Sequence, residues 1–151
     1  MEKKWILEYA HYDSIEEMTA EDRELVRAAE KACDSAVAEY SNFHVGAAAR
    51  LESGKIITGS NVESEVYPAT LCAERTLLYY HQATTPKDRI VALAIASDPS
   101  NRECYPCGQC RQVLNDVERR QGLNIRVIMS GAGTASVVDR ACDLLPFTFM
   151  L

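Results

Sequence analysis

The sequence has no apolar run long enough to cross a membrane. Its longest, Ile90–Ala96, falls far short of the ~20 residues a spanning helix needs. Near the N-terminus Trp5-Ile6-Leu7 is cut off by Glu8, too soon for the core of a signal peptide. No linker rich in Pro, Gly and Ser divides the chain, and there is no low-complexity tract or internal repeat. The 151 residues are therefore expected to bury one real core. Positive charge is short as well: 22 Asp and Glu stand against 16 Lys and Arg, a net charge of −6. Lys3-Lys4 and Arg119-Arg120 are the only adjacent basic pairs, whereas a polynucleotide-binding protein carries a basic face or stripe. These absences predict a cytoplasmic protein that acts on small molecules, with neither nucleic acid nor membrane as partner.

Histidine is scarce, and none of His11, His44 and His81 has a second ligand at metal-binding spacing; His11 and His81 read as exposed. Cysteine is not scarce. Six are present, and a chain of this length without a secretion signal does not need them as disulfides. In that setting CxxC spacing reads as metal or redox chemistry. Cys72-Ala73-Glu74 is followed by Pro106-Cys107-Gly108-Gln109-Cys110. Three thiolates can hold one zinc ion per chain and leave its fourth tetrahedral position to water, the arrangement of a catalytic rather than a closed structural site. Glu74, two residues from Cys72, is placed to move that water's protons, and the pattern matches zinc deaminases in their three-cysteine form. A CxxC pair is also compatible with a structural zinc module or a redox pair, and Cys104 offers a further thiol; neither reading accounts for Glu74 or for Asn61 and Glu63. Cys33 and Cys142 read as small buried hydrophobes.

Hydrophobic periodicity supplies the frame. Thr19 and Asp22 resemble a capping box, and Leu25, Ala28, Ala29, Ala32, Ala36, Val37 and Tyr40 follow at helical spacing, which predicts a helix over about 20–40. Phe43–Ala49 and Ile56–Thr58 flank Glu52-Ser53-Gly54-Lys55 as a hairpin. Residues 70–82 read as a helix, Ile90–Ala96 as a strand covered on both faces, 107–120 as a helix opened by Pro106 and stopped near Gly122, and Ile125–Met129 as a strand. Residues 4–10 read as a further extended segment. The order predicts a three-layer α/β/α domain with a mixed, roughly five-stranded sheet. The three cysteines fall at helix starts, where dipoles and backbone N–H groups draw off thiolate charge. Arg75 and Arg111 stand beside them as expected donors to the thiolates.

Beyond the quartet, a series of motifs resembles the homotetrameric cytidine deaminase family. It runs through Tyr40-Ser41-Asn42-Phe43-His44-Val45-Gly46-Ala47-Ala48, Gly59-Ser60-Asn61-Val62-Glu63, Tyr67-Pro68, Cys72-Ala73-Glu74-Arg75-Thr76, Pro106-Cys107-Gly108-Gln109-Cys110-Arg111-Gln112-Val113 and Leu144-Leu145-Pro146-Phe147. The resemblance covers about residues 23 to 148 and makes 20–151 the catalytic domain, with 1–19 an N-terminal extension of unassigned role. It implies hydrolytic deamination of cytidine and 2′-deoxycytidine in pyrimidine salvage. Cys72, Cys107 and Cys110 become the zinc ligands. Glu74 becomes the proton shuttle between water, N3 of the pyrimidine and the departing amine. Asn61 and Glu63 are implied to bind the ribose hydroxyls, Phe43 to line the base, and the Ala73 N–H to hold the ring carbonyl. Phe147 is implied to reach a neighbouring subunit's site in a homotetramer with shared pockets. The chain departs from the family at Ser64-Glu65-Val66, where Asn-Ala and a small residue are usual, and at Tyr105, where Ser is common. Glu65 leaves open a related aminopyrimidine nucleoside such as blasticidin S, and a non-catalytic zinc-stabilised binding module is the alternative from another class.

Overall fold

The computed structural model describes residues 1–151. Thr19 opens the first helix, its hydroxyl accepting from the Asp22 N–H at 3.2 Å, and α1 runs Ala20–Ala32. A single tight turn, Cys33–Ser35, ends it, where the Ser60 hydroxyl donates to the Ala32 carbonyl at 2.6 Å. The expected helix to residue 40 is thus too long. Val37 leaves the helix to pair with the segment after the hairpin, its N–H on the Asn61 carbonyl (2.9 Å) and its carbonyl accepting from the Glu63 N–H (2.8 Å). Tertiary pairing overrides the helical period there.

Six strands, β1 (Ala10–Tyr12), β2 (His44–Leu51), β3 (Ile56–Ser60), β4 (Ile90–Asp98), β5 (Arg126–Gly131) and β6 (Thr134–Val138), form one sheet in the order β1-β6-β5-β4-β2-β3. Only the β4–β5 pair is parallel; β1–β6, β2–β3, β2–β4 and β5–β6 are antiparallel. The mixed α/β/α frame is as expected, with one strand more than the sequence suggested. The unexpected strand is β6, returning from β5 through Ala132-Gly133, both at positive φ. The N-terminal strand is also shifted: β1 occupies 10–12 rather than 4–10, so part of the 1–19 segment belongs to the sheet, and Met18 is buried with α1.

Alternation along β2 and β4 divides the core in two. Ala47, Ala49, Leu51, Leu93 and Ile95 face the layer formed by α2 (Ala73–Thr84) and α3 (Gly108–Gln121). Ala48, Ala92, Ala94 and Ala96 face α1. The small residues on the α1 face let that helix lie close against the sheet. A Cβ at Gly46 would stand 2.0 Å from the Ala29 carbonyl oxygen and 2.8 Å from the Cys33 nitrogen. Backbone, not a flexible side chain, fills that space. Gly46→Ala is therefore expected to lower stability by about 1–3 kcal/mol or more, read as a drop in the urea or thermal midpoint; an unchanged midpoint would show that α1 yields without cost.

His81 corrects another expectation. It is fully buried, with Nε2 2.8 Å from the Asp88 carbonyl and Nδ1 3.1 Å from the Gln82 amide nitrogen. Both ring nitrogens have a partner without any metal, so its role is to tie the end of α2 to the chain entering β4. No helix is long and apolar enough to cross a membrane.

Candidate active site

Cys72 and Cys107 are the N-caps of α2 and α3, and neither sulfur accepts a backbone N–H of its own helix. The first-turn N–H groups and positive dipole ends of both helices are left directed at the sulfurs. Cys110, one turn into α3, is fully buried. The three sulfurs converge, with Cys72 to Cys107 at 3.7 Å and Cys107 to Cys110 at 3.5 Å, and all lie within 4.8 Å of one another. Sulfurs at ~2.3 Å from a tetrahedral zinc stand just under 4 Å apart, so the donor set and its spacing fit that ion. None of the six cysteines is in a disulfide. Hydrogen bonds from the Cys110 thiol, then from Arg75 and the Cys107 thiol, hold the Cys72 thiol down at about 5 despite its burial. Cys110 is pushed up by donating to Cys72 and by burial. Thiolate charge thus settles on Cys72, with Cys110 as its donor.

Glu74 lies in the first turn of α2 and is only 3 % exposed. Burial, more than the neighbouring Cys72, pushes its carboxyl up to about 7, in the range where a carboxylate both takes and gives protons at neutral pH. It helps line a pocket of about 260 Å³ together with Cys72, Cys107, Asn61, Glu63 and Phe43. These residues come from the turn leading into β2, the segment after β3, and the starts of two helices. Only the sheet brings them together.

Asn61 is buried and already engaged: its amide donates to the Phe43 carbonyl and its oxygen accepts from the Val45 N–H, both at 2.8 Å. It sets the backbone that carries Phe43. Glu63 is held by the Tyr40 and Ser41 N–H groups at 2.8 and 3.2 Å and by the Ser41 hydroxyl, and the last of these keeps its carboxyl below the ordinary range. It faces the pocket as an anion.

The two arginines divide. Arg75 donates to the Cys72 sulfur at 3.6 Å and the Thr70 carbonyl at 3.5 Å. Arg111 does not meet the expectation of a thiolate partner. Its side chain folds back to the Pro106 carbonyl (2.9 Å) and across to the Leu144 carbonyl (3.2 Å), because a helical side chain leans toward the N-terminal turn. It braces the loop that delivers Cys107. Phe147 is 97 % exposed, at positive φ, with its ring 6.3 Å from that of Trp5; it is not in its own chain's pocket. Cys33 is buried beside α1 as expected, while Cys142 is only half-buried, its N–H held by Glu118. Missed in the sequence was Glu103, a buried carboxylate beside the pocket wall, whose only signal was its place just before Cys104-Tyr105-Pro106.

Fold and site together define an α/β/α domain with a three-cysteine cluster able to hold a metal ion and a buried carboxylate beside it. Residues 19–122 match the family model of the cytidine and deoxycytidylate deaminase zinc-binding region. The chain is 40 % identical over 93 residues to a cytidine deaminase of Halalkalibacterium halodurans, covering 62 % of this chain and 69 % of that one. It is 30 % identical over 105 residues to a blasticidin-S deaminase of Bacillus cereus, covering 66 % and 74 %. The crystal structure of a cytidine deaminase from Burkholderia pseudomallei superposes with a TM-score of 0.75 at 36 % identity, covering 87 % of this chain and all of that one. Among the first sequence relatives the match spans 58 to 69 % of their length. The chain belongs to the cytidine and deoxycytidylate deaminase zinc-binding family.

Proposed function

We infer that the chain hydrolyses cytidine and 2′-deoxycytidine to the corresponding uridines and ammonia, with residues 20–151 as its catalytic domain. The observation that carries this reading is Glu74, buried beside the Cys72–Cys107–Cys110 cluster in a pocket that also holds Asn61 and Glu63. Zinc bound by the three cysteines supplies the Lewis acidity that makes water a nucleophile near neutral pH. Glu74 takes the proton of the attacking water, passes one to N3 of the pyrimidine, and serves the amine as it leaves C4. Water enters and ammonia departs, so no other reactant is needed. Arg75 and the α2 and α3 dipoles offset the thiolate charge that would otherwise blunt the metal. The Ala73 N–H, at the open end of α2, receives the ring carbonyl, and Phe43 lines the base.

Asn61 and Glu63 bind the ribose hydroxyls. Loss of a charged hydrogen bond is worth about 1.5–3 kcal/mol, so Glu63→Gln is expected to reduce kcat/KM for cytidine by about 10- to 100-fold, mainly through KM. Ammonia release from cytidine, deoxycytidine, cytosine and blasticidin S tests the whole reading. Free cytosine turned over as well as cytidine would remove the ribose role. Glu65, which left room for a blasticidin-type substrate in the sequence, is exposed and does not line the pocket, so cytidine is preferred. The physiological setting is pyrimidine salvage in the cytoplasm, as a homotetramer in which Phe147 closes a neighbour's pocket. An exposed Phe147 with no role in its own site supports that assembly, and sedimentation of the native protein checks it.

A further inference from the structure

Tyr105 stands where three cavities meet. It lines the nucleoside pocket, an outer cavity of about 690 Å³ that also includes Phe43, Cys104 and Arg102, and a groove of about 240 Å³ closed behind it by Leu7 and Tyr9. Its side chain is tethered at the tip, the hydroxyl donating to Glu103 Oε2 at 3.0 Å. Glu103 is 8 % exposed, and its other oxygen accepts from the Thr134 hydroxyl at 2.8 Å and faces His11 Nδ1 at 3.5 Å. His11 belongs to β1, opposite Ser136, whose hydroxyl is 3.1 Å from the same ring nitrogen. The backbone beneath is fixed too. The Cys104 N–H bonds to the Ser130 carbonyl at 3.0 Å, and a Cβ at Gly131 would stand 2.0 Å from the Arg102 carbonyl oxygen. A buried carboxylate is costly unless its hydrogen bonds are satisfied, and this one spends both oxygens on orienting neighbours.

We propose that Tyr105 is the specificity-determining wall of the nucleoside pocket and that the N-terminal strand sets its position through His11 and Glu103. The inference rests on the nucleoside reading above for its ligand. With the ribose at Asn61 and Glu63 and the reacting carbon at the cysteine cluster, Tyr105, two residues from Cys107, faces the pyrimidine edge. The class it excludes is cytidines carrying an added group on that edge. The ring separates pocket from outer cavity, and a wall held only by packing would swing about its two side-chain torsions. The Glu103 carboxylate removes that freedom by accepting the bond from the Tyr105 hydroxyl.

The test is the ratio of kcat/KM for 5-methylcytidine to that for cytidine, with uridine and 5-methyluridine binding by calorimetry as a readout independent of turnover. Tyr105→Ser is expected to raise the ratio at least about tenfold, the scale on which a pocket discriminates one methyl group. Tyr105→Phe, Glu103→Ala and His11→Ala move it the same way by less, and neither of the last two adds to Tyr105→Ser. Glu103→Gln, whose amide oxygen still accepts from the hydroxyl, restores the native ratio. A Tyr105→Ser ratio within twofold of native overturns the wall. Glu103→Ala or His11→Ala that lowers the melting midpoint but not the ratio overturns the positioning role. A protein that binds both uridines but deaminates neither cytidine removes the reaction, while the binding ratio still decides the wall.

Discussion

Zinc-loaded Glu74→Gln is expected to retain its fold and metal and to lose at least about 10²–10⁴ in turnover, the usual worth of general acid–base catalysis. Glutamine has nearly the same shape, so the packing at the start of α2 persists. The cysteine cluster is untouched, so zinc content is retained. What disappears is the only carboxylate in the pocket that is buried among the thiolates; Glu63 lies at the other end, held by the Tyr40–Ser41 backbone. An amide neither takes a proton from water nor gives one to N3 or the amine. Metal analysis and the thermal midpoint, run with the assay, separate this from misfolding. Near-normal turnover in a variant with full zinc would sink the mechanism.

Removal of a thiolate should have the larger effect on metal. Cys110→Ala is expected to bring zinc from one per chain to near zero and activity below detection, because two sulfurs do not make a tetrahedral site of useful affinity. Cys110 is fully buried and sits where α2 and α3 begin. Metal loss therefore also uncouples two helix ends, and the melting midpoint should fall with it. Chelation of the native protein should reproduce both effects, with zinc restoring activity. Cys104→Ser provides the contrast. Cys104 is not among the three converging sulfurs, and burial, then Glu74, pushes its thiol up to about 12. It should keep full zinc, and metal loss in that variant would point to a closed four-thiolate site instead.

Much of this was legible because it is local. Thr19 capping α1, Gly122 ending α3 at φ 66, and Cys72 and Cys107 opening two helices follow from residue types within a turn or two of each other. The alternation of β4 between two covered faces is equally a property of a few consecutive side chains. By itself, then, the chemistry of the chain determined a three-layer α/β/α domain, three thiols at helix starts able to hold a metal, and a carboxylate two residues from one of them.

Distance in sequence decided what remained. The end of α1 depends on Val37 finding Asn61 and Glu63, and β6 on pairing with both β5 and the short β1. Arg111 was expected on a thiolate but bonds to Leu144, thirty-three residues away. Burial also has to be seen, since neither the enclosed ring of His81 nor the raised carboxyl of Glu74 is encoded by its neighbours in the chain. The same holds for Glu103, which joins β1, β6 and Tyr105. A sequence specifies which groups can do chemistry; only the packed sheet places them within a few ångströms and strips away the water that would mask their charges.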